Sequence, residues 1–168
     1  MDRVVIVFGP PATGKTTLSS MFARKHKNWA FIDADTLNNM TAAQFTAPLD
    51  DDGTYGALLL KNICSLATNF REAGFDLIIN YVFKPNQLLD LADSFRDCKV
   101  DFFFVTAPVE VALSRASNRI DPEEEDDIRK YHEYYATTSF ESVPHKKLAS
   151  YEARLEDLLV EIESVLGV

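Results

Sequence analysis

The chain has little positive charge to offer. Lys and Arg total 17 against 26 Asp and Glu, a net charge of −9, so the broad basic surface that a nucleic-acid partner needs is missing. A nucleotide remains compatible, because one phosphate-binding loop and a few arginines suffice locally. Cationic residues are scarcest between Asn28 and Phe70, a span with no arginine and only Lys61. No apolar run approaches the roughly 20 residues of a membrane-spanning helix, and no membrane partner is expected. The two cysteines, Cys64 and Cys98, lack metal-ligand spacing. Buried or inert free thiols are expected, and with them a reducing, cytoplasmic setting. A leader peptide is not expected either, since a strand begins almost at once and Gly9 and Pro10 interrupt it. Internal repeats, low-complexity tracts and interdomain linkers are absent.

What is present is concentrated near the start. Gly9-Pro10-Pro11-Ala12-Thr13-Gly14-Lys15-Thr16 reads G-x-x-x-x-G-K-T, the Walker A or P-loop pattern. It follows the apolar run Val4–Phe8 and precedes a helical pattern with Leu18, Met21 and Phe22 on one side. Glycines let the backbone wrap a triphosphate so that a row of N–H groups faces its oxygens. The predicted nucleotide-binding set is Gly9, Pro10, Pro11, Ala12, Thr13, Gly14, Lys15, Thr16 and Thr17. Lys15 can reach the β- and γ-phosphates, and the Thr16 hydroxyl can ligate Mg²⁺. ATP and Mg²⁺ are therefore the expected cofactors.

Strands and helices alternate along the rest. Strands are predicted over Arg3–Phe8, Ala30–Ile32, Asp76–Asn80 and Val100–Val105, the last bulky enough for burial on both faces. A fifth is expected between Thr138 and Ala149, where only Phe140, Val143 and Leu148 are apolar. Helices are expected over Lys15–His26, after Asp35, over Tyr55–Ala73, Asn86–Phe95, from Pro108, through Tyr135, and over Tyr151–Leu166. The acidic run Asp121–Asp127 is expected to precede the sixth of these. Thr41–Thr54 reads as an irregular insert broken by Pro48 and Asp50-Asp51-Asp52-Gly53. The alternation predicts an α/β, three-layer P-loop NTPase fold with a parallel five-stranded sheet, in one domain over 1–168.

On these motifs the chain resembles the small P-loop kinases, among them shikimate and gluconate kinases, nucleoside monophosphate kinases and chloramphenicol phosphotransferase. The resemblance implies a short helical lid at about 115–130 and an acceptor-binding insert at about 35–55. Asp33 and Asp35 close the second strand, at the edge where ligands sit in open α/β sheets. There a carboxylate can take the proton of an attacking hydroxyl or hold a Mg²⁺-bound water. Asp33 is expected as base or metal shell and Asp35 as acceptor contact, both facing one side if the chain stays extended. The competing reading makes Asp35 a helix N-cap. Asn80 stands where many relatives carry the Walker B acid, so metal binding would draw on Thr16, Asp33 and Asn80. Tyr81 and Phe83 either line an acceptor pocket or belong to the core. In the lid, Arg115 and Arg119 are four apart on one helical face and are expected at the phosphates, with Arg129 a further candidate. His132, with Tyr131, Tyr134 and Tyr135, reads as a partly buried helix face or as a substrate contact.

Lys15, Asp33, Asp35, Arg115 and Arg119 form the expected catalytic set. An anionic acceptor usually meets a cationic clamp, which the Asn28–Phe70 span does not supply, although Lys84, Arg71 or a lid arginine could stand in. The expected activity is transfer of phosphate from ATP to a hydroxyl of a neutral or cationic small molecule: a nucleoside, sugar, amino-sugar or antibiotic. The rivals are an NTPase or switch protein without such an acceptor, a nucleotide-binding protein without catalysis, and a kinase of an anionic metabolite. The N-K-x-D guanine motif of GTPases is absent.

Overall fold

The computed structural model describes residues 2–40, 53–117 and 122–168. The acceptor-insert residues 41–52 and the lid residues 118–121, Arg119 among them, lie outside the described residues.

Along β1 (Arg3–Phe8) side chains alternate between two apolar layers, as a period of two requires. Val4, Ile6 and Phe8 enter one cluster, and Val5 and Val7 the other. The chain then runs through α1 (Lys15–Lys25), β2 (Trp29–Asp33), α2 (Ala34–Asn38), α3 (Thr54–Glu72), β3 (Asp76–Tyr81) and α4 (Pro85–Ser94). It continues through β4 (Lys99–Thr106), α5 (Val109–Ala116), α6 (Pro122–Thr137), β5 (Lys146–Ala149) and α7 (Leu155–Leu166). The sheet has five strands in the order β2-β3-β1-β4-β5, and every pairing is parallel. Helices α1 and α7 cover one face through Leu18, Phe22, Leu158 and Ile162. Helices α3, α4 and α6 cover the other through Ile63, Leu88, Leu91 and Tyr135. The result is a three-layer α/β P-loop fold.

Two details differ from the sequence expectation, and the fifth strand falls inside its expected span. β4 is fully buried on one face only: Phe103 and Val105 are covered, whereas Phe102 and Phe104 are partly buried against the other core cluster. On that second face Phe104 stacks on Phe8 at 5.0 Å and on Phe140 at 5.6 Å. The acidic run after Asp121 does not precede α6 but forms its first turns, where carboxylates suit the positive end of the helix dipole. The fifth strand is only Lys146–Ala149, with Leu148 as its buried residue. Phe140 and Val143 are buried outside it, Phe140 in the aromatic cluster, its ring 5.1 Å from that of Tyr135.

Candidate active site

The order of the sheet sets the site. β1 lies between β3 and β4, so the loop leaving its carboxyl end opens at the point where successive connections diverge, the crevice that ligands use in such sheets. The root of the loop is wedged into the sheet. A Cβ on Gly9 would sit 2.1 Å from the Val105 carbonyl oxygen, and Gly9 has φ 140°. Only glycine fits there. Ala12 at the apex also takes a positive φ, 58°. Gly14, at φ 94°, caps α1 without a side-chain hydrogen bond, and the first turn of α1 carries no acid. The orphan amides of that helix start are thus left for an anion. Pro10 and Pro11 lack N–H groups and shape the turn rather than donate.

Two of the loop's carbonyls have side-chain donors. Thr13 Oγ1 donates to the Pro10 oxygen at 2.9 Å and Lys15 Nζ to the same oxygen at 2.7 Å. His132 Nε2 of α6 lies 3.1 Å from the Pro11 oxygen. Lys15 is 6 % exposed. Burial lowers its ammonium pKa from 10.5 to about 8, while Asp35 and then Asp33 pull it back upward. Lys15 therefore shares one field with both aspartates.

Asp33 is the N-cap of α2: its Oδ1 accepts from the Asp35 amide at 3.3 Å. The chain turns helical at Ala34, so the extended path assumed for the two carboxylates does not occur, and the cap is Asp33 rather than Asp35. Asp35 keeps surface of its own, but the protein around it raises its carboxyl pKa, with Lys15 opposing and Asp33 reinforcing. Asn80 pairs in register with Asp33 on one side and Val7 on the other. Its Nδ2 donates to Thr16 Oγ1 at 2.9 Å, and its buried Oδ1 has no partner. Thr16, Thr17 and Asp35 face solvent around this point. Among the described residues no group of three or more His, Cys, Asp or Glu could hold a metal alone. Mg²⁺ does not need one, since it binds through one or two protein groups together with phosphates and water. The Thr16 hydroxyl and the orphaned Asn80 oxygen fit that donor set.

Arg115, from α5, reaches across to the start of the β5–α7 connection. Its Nη1 donates to Ser150 Oγ at 3.0 Å and its Nη2 to the Ser150 carbonyl at 2.5 Å. Arg129 pairs with Glu110 at 3.3 Å on the exposed surface. Arg71 is no substitute acceptor clamp: it bonds Asp2 and Asp97, beside the amino ends of β1 and β4. Tyr81 and Phe83 are core residues, 1 % and 0 % exposed. Cys98 is buried and its thiol is pushed up to about 11 by burial, and Cys64 is also free. No described helix is long and apolar enough to cross a membrane.

With this geometry in place, the chain matches the model of the AAA domain family over residues 4–156. The chain belongs to that family. Among solved structures it is similar to a sugar kinase from a Janibacter species, with 22% identity and a TM-score of 0.76, covering 100% of this chain and 96% of that one. A gluconokinase from Sinorhizobium meliloti matches at 15% identity and TM-score 0.67, over 94% of this chain and 87% of its own. A shikimate kinase from Acinetobacter baumannii, solved with shikimate, matches at 18% and 0.65, over 99% and 94%. At these identities the likeness is one of fold, that of the small P-loop kinases. A search of curated protein sequences found no match.

His132 lies on a partly buried helix face, as one of the two sequence readings has it, but sequence reasoning missed Ser150 and the contact of His132 with the Pro11 carbonyl. Ser150 is 35 residues from Arg115 and carries no motif. His132 did leave a signal: with Ile128, Tyr131 and Tyr135 it occupies i, i+3, i+4 and i+7, one face of a helix.

Proposed function

We propose that the chain is an ATP-dependent phosphotransferase acting on a hydroxyl of a neutral or cationic small molecule, such as a nucleoside, sugar, amino-sugar or antibiotic. One observation carries this reading: Lys15, buried at the end of the P-loop, opens α1 after β1, and Asp33 and Asp35 close β2 at the same edge of the sheet. The cation for the phosphates and the carboxylates for an acceptor thus meet at the carboxyl edge of β1, β2 and β3.

In this reading ATP lies on residues 9–17. Bound Mg²⁺ would supply charge neutralisation at the phosphates, held by Thr16 and, through water, by Asn80 and Asp33. The chain's own groups do the rest. Asp35, its carboxyl pKa raised by burial, contacts the acceptor and takes the hydroxyl proton, with Asp33 beside it. The acceptor oxygen bonds to the γ-phosphorus as the bond to the β–γ bridging oxygen breaks, and ADP leaves. Lys15 and the lid's Arg119 stabilise the charge on the moving group, and Arg115 meets the nucleotide from the edge where it holds Ser150. Closure of the lid over 115–130 keeps water from competing. An acceptor bearing an amine suits two aspartates and a span without arginine.

The test is phosphate transfer from γ-labelled ATP to a panel of neutral and amine-bearing alcohols, with sugar acids and nucleoside monophosphates as anionic contrasts. A labelled neutral or cationic product that disappears in Lys15→Ala is expected. Label passing only to anionic acceptors, or only to water, would overturn the assignment.

A further inference from the structure

α6 turns one face toward the loop. Ile128, Tyr131 and Tyr135 are 6 %, 7 % and 6 % exposed, and His132 is half-buried among them. Tyr135 Oη donates to the Phe83 carbonyl at 2.7 Å, anchoring α6 to the chain just beyond β3. One turn earlier, His132 Nε2 lies 3.1 Å from the Pro11 carbonyl oxygen. A carbonyl accepts, so the ring proton sits on Nε2 and the imidazole donates. Independently, Ala12 packs against the cluster that Ala112, Leu113 and Ala116 of α5 form with Ile128 of α6. Two contacts of different chemistry therefore clasp the loop apex from the lid helices.

The hydrogen bond has a geometric consequence. In a trans peptide the C=O of one residue and the N–H of the next point in opposite directions. Holding the Pro11 oxygen toward α6 therefore turns the Ala12 N–H away from α6. The plane needs holding, because Ala12 takes φ 58°, a conformation that costs a non-glycine residue on the order of 1 kcal/mol. Pro10 and Pro11 have no amides, so Ala12 is the first residue after Gly9 with an N–H to give.

We propose that His132 is a positioning residue for nucleotide binding: from α6 it fixes the Pro11–Ala12 peptide plane, so that the Ala12 amide faces the polyphosphate, and it ties the second lid helix to the P-loop. This rests on the nucleotide-binding reading given above. Nucleotide affinity and lid position are then linked, each biasing the other.

The test is isothermal titration of the full chain with Mg·ATP, paired with unfolding midpoints for each variant. His132→Phe keeps the ring and loses the donor, and His132→Gln restores a neutral N–H donor. ATP affinity is expected to fall roughly tenfold in His132→Phe, the weight of one net hydrogen bond, and to stay within about threefold in His132→Gln. His132→Ala replaces the first variant should that one not fold. Equal ATP affinity in wild type and His132→Phe overturns the inference alone. Equal weakening in both variants, tracking a loss of unfolding midpoint, overturns it in favour of packing. Absence of ATP binding by the wild type overturns the nucleotide reading, and this inference with it.

Discussion

Replacing Lys15 by methionine should stabilise the protein at neutral pH while abolishing transfer. Lys15 is 6 % exposed, and burial lowers its ammonium pKa from 10.5 to about 8 even with Asp35 and Asp33 helping. A difference of that size between folded and unfolded chains is worth about 3 kcal/mol against the folded state below pH 8. Methionine fills the same stem without the charge. It loses the bond to the Pro10 oxygen, but that oxygen keeps Thr13 Oγ1 as donor at 2.9 Å, so the loss is about 1 kcal/mol. The net gain expected at pH 7 is about 2 kcal/mol. The sign then changes with pH. Between about 8 and 10.5 the unfolded lysine still holds its proton and the folded one does not, so wild-type stability rises with pH relative to the variant. Above 10.5 neither state is charged, and Lys15→Met should be the less stable protein by about 1 kcal/mol. Urea unfolding of both proteins without nucleotide, at pH 7 and in steps to pH 11, measures the difference directly. A variant less stable at pH 7, or a difference that stays constant across the range, would refute the argument.

Other perturbations separate the parts of the site. Gly9→Ala places a methyl 2.1 Å from the Val105 oxygen at φ 140°, so the seam between β1 and β4 must open. A loss of at least several kcal/mol, or failure to fold, is expected in thermal unfolding. Asn80→Asp adds a charge beside Thr16 but removes the Nδ2 donor. The Mg²⁺ concentration giving half-maximal ATP binding should fall several-fold, as read by titration, and an unchanged value would remove Asn80 from the metal's surroundings. Arg71→Ala breaks exposed pairs with Asp2 and Asp97. It should cost under about 1 kcal/mol and leave transfer untouched, since surface ion pairs contribute little.

The loop and its strand were legible because their signal is contiguous: an apolar run, a fixed glycine spacing and a helix within 25 residues. α3 was legible for a related reason, its stripe through Leu59 and Ile63 repeating over 19 residues. β5 was obscure because an edge strand of four residues buries only Leu148. The apolar residues that marked its neighbourhood, Phe140 and Val143, serve packing outside the strand instead. The end of β2 at the two aspartates was legible, but their orientation was not: alternation along β2 predicted a shared side, and a helix start at Ala34 broke the alternation one residue later. Arg115 was legible as a cation on a helix, whereas its grip on Ser150 depends on a strand crossing that no local pattern encodes.

The glycine wedged against Val105 has a mechanical consequence. A backbone that touches this seam so closely cannot shift without moving β1, the central strand, and its neighbour β4. The root of the loop is therefore held stationary by the sheet. Any adjustment falls to the apex around Ala12, and an inhibitor shaped to the root would meet nearly the same surface wherever α6 stands.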